Sequence, residues 1–415
     1  MMLLRMRIKT GLVWLALACG INGVRGMAQP GPLPTAARQS SLPAKQLKGE
    51  LVNAALNDDL ARVKALIVAG ADVNAPGGLR NTWKSNTALQ MASRNGNLQM
   101  VEALLEAGAD VNGPSEQCHT ALMESAERNF LPVVQALLDA GAHVDARQED
   151  GSTALMLASE YGREETMSLL LAADAKVDAK RDDGRTALMM ASQAKHLKVV
   201  EALIAAKADV NARDNLGNTA LDFASGISRM LPTEELDTFA EEENRSLPVV
   251  QTLLEAKADV NTADSFGNTP LIMASAFGFQ KLVPVLLAAG ANIKAKTQID
   301  NTALTMAARN GHPQVVQALL AAGADANVQE MGGATALILA SDNGNLEIVQ
   351  ALIAAKADLN LRQQSGETAL MLAWRKYYTE IVTALLNAGA ERNGYEGDFK
   401  ALPLNEAPPV AIVQP

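Results

Sequence analysis

The sequence predicts an all-α fold in which about ten helix-turn-helix repeats stack into a solenoid, with short β-hairpin-like fingers between successive repeats. The main observation is a fixed period: a Thr-Ala-Leu or Thr-Pro-Leu phrase recurs every 33 residues on either side of one longer step. The phrase begins at Thr87, Thr120, Thr153, Thr186, Thr219, Thr269, Thr302, Thr335 and Thr368. Composition agrees, since 48% of the 415 residues are hydrophobic but only 3% are aromatic, as expected where alanine and leucine helices pack closely in layers.

The unit formed by residues 186–218 shows how one repeat begins. Thr186 suits a helix N-cap, because its hydroxyl can accept a hydrogen bond from a free backbone N–H in the first turn. The following position is Pro270 in one repeat, and proline is tolerated at the first helical residue. Leu188 and Ala191 share one face, so a short first helix is predicted.

A second helix follows, with an apolar stripe at Leu197, Val200, Leu203 and Ile204. We expect it to end at a residue in the left-handed conformation, which glycine adopts without strain. Glycine holds this position at Gly70, Gly108, Gly141, Gly290, Gly323 and Gly389, whereas Asp174, Lys207, Lys257 and Lys356 hold it elsewhere. Each replacement costs roughly 1 kcal/mol. The polar residues 209–211 and a turn around Gly217 then form the finger.

These features resemble the ankyrin repeat family. The family's opening phrase survives as Gly-Ser-Thr-Ala-Leu at 151–155, and its closing phrase survives as Gly-Ala-Asp-Val-Asn at 108–112. The family's proline is usually alanine here, and its histidine is mostly methionine, as at Met123, Met156, Met189 and Met371. The resemblance covers residues 49–392. It implies partner contacts on the finger tips and on the exposed side of the first helices.

Outside the repeats, the first 28 residues are typical of a secretory signal peptide. Arg5, Arg7 and Lys9 precede an apolar run at 11–19 that is too short to span a bilayer. Gly-Met-Ala at 26–28 offers a cleavage site before Gln29. A lipid anchor at Cys19 and an uncleaved anchor are the alternatives. Residues 29–48 are predicted to be a flexible linker because they are rich in proline and lack an apolar period. Residues 393–415 form a C-terminal tail.

The longer step is an insertion. Thr219 and Thr269 are 50 residues apart instead of 33, so 17 residues are inserted, near 226–245 and between the two helices of that repeat. Pro232 and Thr233 are expected to open an extra helix that ends at the acidic residues 241–243. Six acids fall here, namely Glu234, Glu235, Asp237, Glu241, Glu242 and Glu243. They favour a partner with a basic patch.

Charge and residue chemistry exclude several functions. A formal net charge of −10 argues against nucleic acid or an anionic membrane as the main partner. After cleavage Cys118 is the only cysteine, so no internal disulfide forms. The four histidines are far apart in the sequence, and Cys118-His119 alone is too small a set for a metal. We therefore expect no catalytic residues, no metal and no cofactor.

The family resemblance instead points to a binding surface. Mapping finger and first-helix positions onto this sequence gives ten candidates: Trp83, Lys84, His119, Tyr161, Arg185, Leu216, Phe266, Phe277, Ile299 and Arg309. Large apolar groups at exposed positions are typical binding hot spots. Phe266 and Phe277 are expected to flank one pocket beside the insertion.

The sequence therefore predicts a non-enzymatic protein-binding scaffold that is exported, bacterial and monomeric. The signal peptide and the compact methionine-for-histidine repeats support the bacterial origin. Two alternatives are a periplasmic accessory or redox-linked protein that uses Cys118, and an exported effector that binds a host protein.

Overall fold

The computed structural model describes residues 44–77, 86–113, 118–226 and 236–392, and for 44–48 and 236–240 it describes the backbone alone. These residues contain twenty helices in ten consecutive pairs. The first helices of the pairs are α1 (Ala44–Leu56), α3 (Ala88–Asn95), α5 (Ala121–Arg128), α7 (Ala154–Glu160), α9 (Ala187–Ala194), α11 (Ala220–Ala224), α13 (Pro270–Ala276), α15 (Ala303–Asn310), α17 (Ala336–Asp342) and α19 (Ala369–Arg375). The second helices are α2 (Leu60–Val68), α4 (Leu98–Glu106), α6 (Leu131–Asp139), α8 (Glu164–Ala172), α10 (Leu197–Ala205), α12 (Leu236–Glu255), α14 (Leu282–Ala288), α16 (Pro313–Ala321), α18 (Leu346–Ala354) and α20 (Thr379–Asn387).

The helices form two layers. Each first helix packs on the first helix of the next repeat, each second helix packs on the next second helix, and the two helices of a pair pack on each other. One apolar core therefore runs through all ten repeats. The helical repeat architecture predicted from the sequence is confirmed.

Threonine starts nine of the ten first helices. At each one the hydroxyl accepts a hydrogen bond from the backbone N–H three residues on, over 3.2–3.4 Å. This bond satisfies a donor that has no partner within the helix. The N-cap role predicted for Thr186 is confirmed.

The core stripe of the second helices is also as expected. Val200 and Leu203 of α10 are fully buried and Val199 joins them, while Leu197 and Ile204 are partly buried at the edges. Each second helix then ends in the left-handed conformation. The six glycines at this position have φ between 82° and 94°, and Lys207, Lys257, Lys356 and Asp174 have φ between 61° and 71°. A Cβ on any of these glycines would meet no atom within 4 Å. Lysine therefore fits, and its cost is one of backbone strain alone.

A repeated asparagine joins four of the repeats to the next one. Asn211 donates from Nδ2 to the carbonyl oxygen of Lys257 over 3.3 Å, and its Oδ1 accepts from the backbone N–H of Asp259 over 2.8 Å. Asn74, Asn112 and Asn261 make the same pair of bonds. The repeated Asn and Asp residues thus have a structural role, as predicted.

The fingers are tight turns closed by backbone bonds. In one, the N–H of Asp214 donates to the carbonyl oxygen of Asn218 over 2.9 Å. The parts of the chain that the structure covers contain no β-strand, so the fingers resemble hairpins without forming a sheet.

Two boundaries differ from the predicted ones. Helix α1 begins at Ala44, inside the segment 29–48 assigned to a linker. The insertion does not form a separate helix that ends at 241–243, because α12 continues from Leu236 through to Glu255. Glu242 pairs with Lys195 and Arg245, and Glu243 accepts a hydrogen bond from the backbone N–H of Lys281. Pro248 lies inside α12 and, having no N–H, removes one helical hydrogen bond there. Pro232 and Thr233 lie outside the described residues.

Among the described helices, none is long and apolar enough to cross a bilayer. The segment 1–28 falls outside the part of the chain that the structure describes.

Candidate functional site

Four exposed apolar side chains lie on four consecutive fingers and form what we call the finger strip. Its members are Leu216, Phe266, Ile299 and Met331, with 52%, 59%, 53% and 66% of their surface exposed. Backbone hydrogen bonds connect these fingers in series. The carbonyl oxygen of Leu216 accepts from Ser265 over 2.7 Å, that of Phe266 accepts from Gln298 over 2.9 Å, and that of Ile299 accepts from Met331 over 3.1 Å. The strip therefore stands on one continuous ladder.

The preceding fingers carry charge at the equivalent position. Asp150 and Asp183 lie three residues before Thr153 and Thr186, as Leu216 lies three residues before Thr219. Their carbonyl oxygens make the same ladder bonds, to the N–H groups of Asp182 over 3.0 Å and Asn215 over 2.9 Å. The ladder is thus shared, but its side chains change from charged to apolar at Leu216.

Three sequence candidates belong to the finger strip, namely Leu216, Phe266 and Ile299. Met331 was missed, because the residue three before Thr335 is Gly332 and the apolar side chain lies one position earlier. The bond from Met331 to Ile299 brings it into line with the others. Trp83 and Lys84 lie outside the described residues.

Phe277 is not on the strip. It is the C-cap residue that follows α13, is partly buried against the core, and stacks on Phe279 with ring centroids 5.8 Å apart. Phe266 stands exposed on its finger. The two side chains therefore lie in different environments, and the expectation of one pocket between them finds no support in this geometry.

Two further candidates lie elsewhere on the fingers and first helices. Tyr161 is the C-cap residue that follows α7 and has 46% of its surface exposed, and desolvation raises the pKa of its phenol. Arg309 of α15 pairs with Glu330 on the finger that carries Met331. This ion pair therefore holds the charged side chain of Arg309 beside the finger strip.

His119 belongs to a small polar cluster. Its Nδ1 lies 2.8 Å from Oε1 of Gln148, and its Nε2 lies 3.8 Å from Oε1 of Glu124. The side chains of His119, Glu124 and Glu127 each place one potential metal-ligand atom within 4.8 Å of the other two. Arg128 already contacts both carboxylates, at 3.1 Å and 3.5 Å. The guanidinium therefore offsets the charge of one of these two carboxylates.

A polar cleft of about 380 Å³ opens between α9, α12 and the finger that precedes α9. We call it the insertion cleft. Its charged lining consists of Glu160, Arg181, Arg185, Lys195, Glu242 and Arg245, with His196 beside them. Arg185, a sequence candidate, lies over the Phe223 ring at 4.7 Å and donates to Oε1 of Gln193 over 3.1 Å.

Desolvation is the main cause of two pKa shifts in the cleft. It raises the pKa of Glu160 and lowers the pKa of His196. The Nε2 of His196 lies 3.0 Å from the carbonyl oxygen of Glu160. A carbonyl oxygen only accepts, so Nε2 carries the proton of the neutral ring. The cleft therefore holds a histidine that loses its proton more readily than usual and a carboxyl group that binds its proton more tightly than usual.

Lys195 is the cleft residue that sequence reasoning missed most clearly. It has φ 61° at a position where Gly96, Gly162, Gly278, Gly311 and Gly344 stand in other repeats. Only 2% of its side chain is exposed, and its ammonium donates to the carbonyl oxygens of Phe223 over 2.7 Å and Ala224 over 2.8 Å. A lysine in place of glycine was the available signal.

Comparison with known proteins agrees with this architecture. The family model described as Ankyrin repeats (3 copies) matches residues 51–148, 144–214, 239–330 and 304–395. A search of curated proteins gives no match for the chain. The matches leave out 215–238, a stretch that contains much of the insertion. Together they cover well over half of the sequence, and the chain belongs to the ankyrin repeat family.

Proposed function

We propose that the repeat domain is a non-enzymatic protein-binding module whose partner lies on the finger strip. The observation that carries this proposal is the alignment of Leu216, Phe266, Ile299 and Met331 on consecutive fingers joined by backbone hydrogen bonds. Ankyrin repeats generally serve as interaction modules, which supports a protein as the partner.

The physical reason is the cost of exposing these groups. Each of these apolar side chains is more than half exposed to water, which is unfavourable. A partner that covers them removes this apolar surface from water and so gains binding free energy. The ladder also holds the fingers in fixed positions, so little conformational entropy is lost on binding. A partner that presents apolar side chains along an extended segment fits this row.

A basic partner receives less support than the sequence suggested. Of the six insertion acids, Glu243 is 4% exposed and hydrogen-bonded to α14, while Glu242 faces Lys195 and Arg245. These two carboxylates therefore already have partners within the chain. Glu234 and Glu235 lie outside the described residues.

The experiment is a capture assay with the immobilised chain and an extract of the producing cell. In the variant, Leu216, Phe266, Ile299 and Met331 are all replaced by serine. Val68→Ser is the matched control, because Val68 is 88% exposed but lies at the end of α2 and not on a finger. We expect the fourfold variant to lose the captured protein and the control to keep it, with both retaining a helical circular dichroism spectrum. Equal capture by both variants would refute the proposal.

We further propose that this monomeric chain is exported by a bacterium. The support is the pattern of basic residues, apolar run and Gly-Met-Ala at 26–28. Sequencing the N-terminus of the mature protein is expected to give Gln29. A start at a lipid-modified Cys19 would show anchoring instead.

The redox alternative rests on the exposed Cys118 alone. The host-directed alternative changes the source of the partner but not the binding surface.

A further inference from the structure

The insertion cleft exists because of the 17-residue insertion. The second helix of a standard repeat begins at the residue equivalent to Leu247, which lies 50 residues after Leu197. Glu242 and Arg245 precede Leu247, so they belong to the extra part of α12. In the other described repeats the second helix has no turn before the position equivalent to Leu247. The cleft is therefore specific to this repeat and is no general property of the fold.

The walls of the cleft are fixed by internal contacts. Buried Lys195 binds the end of α11 through two carbonyl oxygens. Arg245 donates from Nη2 to the carbonyl oxygen of Ala194 at the end of α9 over 3.0 Å. The guanidinium of Arg185 lies over the ring of Phe223. Groups held in this way lose little entropy when they bind a ligand.

Two guanidinium groups keep donors that these contacts do not use. Arg181 is occupied by Asp183 and Asp150. Arg185 contacts Gln193 through Nη1 and Asp183 through Nε at 3.4 Å, and neither contact uses its Nη2. Arg245 is 56% exposed and lies 3.8 Å from Glu242. A guanidinium carries five N–H donors and no acceptor. Both groups therefore offer N–H donors to an oxygen ligand.

The cleft's own acids decide which anion fits. Glu160 and Glu242 stand in the same lining and would repel a dianionic phosphate more strongly than a monoanionic carboxylate. Planar guanidinium groups also match a carboxylate in geometry. We propose that the insertion cleft binds the side-chain carboxylate of an acidic residue in the protein partner, through Arg185 and Arg245.

This inference rests on the proposed function only for the source of the carboxylate, so its test uses a small probe and no partner. The probe is glutamate with an acetylated amino group and an amidated α-carboxyl group, which leaves one carboxylate. The matching glutamine derivative is the neutral control. Ligand-observed NMR with the full chain measures the dissociation constants of both compounds and of inorganic phosphate.

We expect saturable binding of the glutamate probe alone. Arg245→Gln should weaken it about tenfold, because a charge-assisted hydrogen bond is lost. Arg147→Gln is the matched control, since Arg147 is also an exposed, ion-paired arginine but lies outside the cleft. Circular dichroism confirms that both variants fold.

Four results would overturn the inference: no saturable binding of the glutamate probe, equal binding of the glutamine probe, tighter binding of phosphate, or equal effects of the two arginine variants. The fourfold strip variant should bind the probe normally. If that variant binds the probe and also still captures the partner, the proposed function is wrong. The assignment of the cleft as a carboxylate site is then unaffected.

Discussion

The carboxylate of Glu243 accepts a hydrogen bond from the backbone N–H of Lys281 over 2.6 Å, and so joins the insertion helix to the next repeat. The same oxygen accepts from the N–H of Leu282 over 3.0 Å. Helix α14 begins at Leu282 and receives no capping bond from the side chain of Lys281. Glu243 therefore supplies from α12 the cap that α14 lacks.

Replacement of Glu243 should destabilise the central repeats. Glu243→Ala leaves the buried N–H of Leu282 and the part-buried N–H of Lys281 without their acceptor, so we expect a loss of about 1–2 kcal/mol in the free energy of unfolding. Urea unfolding measures it. Glu201→Ala is the control, because Glu201 is an exposed glutamate in α10. Equal stability of the two variants would show that Glu243 is not a cap.

Buried Asp222 predicts a specific dependence of stability on pH. Burial raises the pKa of this carboxyl from 3.8 to about 6. A group whose pKa is raised by folding stabilises the fold fully below its unfolded pKa, and this contribution is lost as pH rises through the folded pKa. Wild-type stability should therefore fall by roughly 2–3 kcal/mol between pH 4 and pH 7 on account of Asp222.

Asp222→Asn should remove this contribution. The difference in unfolding free energy between the variant and wild type is then expected to shift in favour of the variant as pH rises from 4 to 7. Asp209→Asn, at an exposed aspartate, serves as the comparison. A pH-independent difference for Asp222→Asn would mean that the buried carboxyl does not titrate in this range.

Two glycines separate backbone strain from steric contact. Gly278 and Gly290 both have positive φ, 74° and 88°. A Cβ on Gly278 would lie 2.4 Å from Nδ1 of His312, whereas a Cβ on Gly290 would meet nothing within 4 Å. Gly290→Ala should cost about 1 kcal/mol from strain, and Gly278→Ala should cost clearly more. Equal losses in thermal or urea unfolding would contradict the packing of His312 against Gly278.

Local chemistry explains why much of the fold was predictable. The N-cap at Thr186 and the left-handed residue at Lys207 depend on short-range geometry. The same local pattern recurs along the repeats, so the sequence alone reveals it. The course of the insertion helix was not predictable. The partner of Glu243 lies 38 residues away in the next repeat, and only the packed structure brings it there.

The candidate site was likewise predictable only in part. Leu216, Phe266 and Ile299 occupy one position of the repeat, so their exposure follows from the period. Phe277 also occupies a repeat position, but its contact with Phe279 turns it toward the core. The insertion cleft combines Lys195 with residues of α12, and no periodic signal connects these two parts of the sequence.

Hydrogen–deuterium exchange of the chain with and without its captured partner tests the position of the binding surface most directly. We expect the partner to slow exchange at the fingers that carry Leu216, Phe266, Ile299 and Met331. The second helices α14, α16 and α18, in the other layer, should exchange as in the free chain. Protection confined to those second helices, with unchanged exchange at the four fingers, would contradict binding at the finger strip.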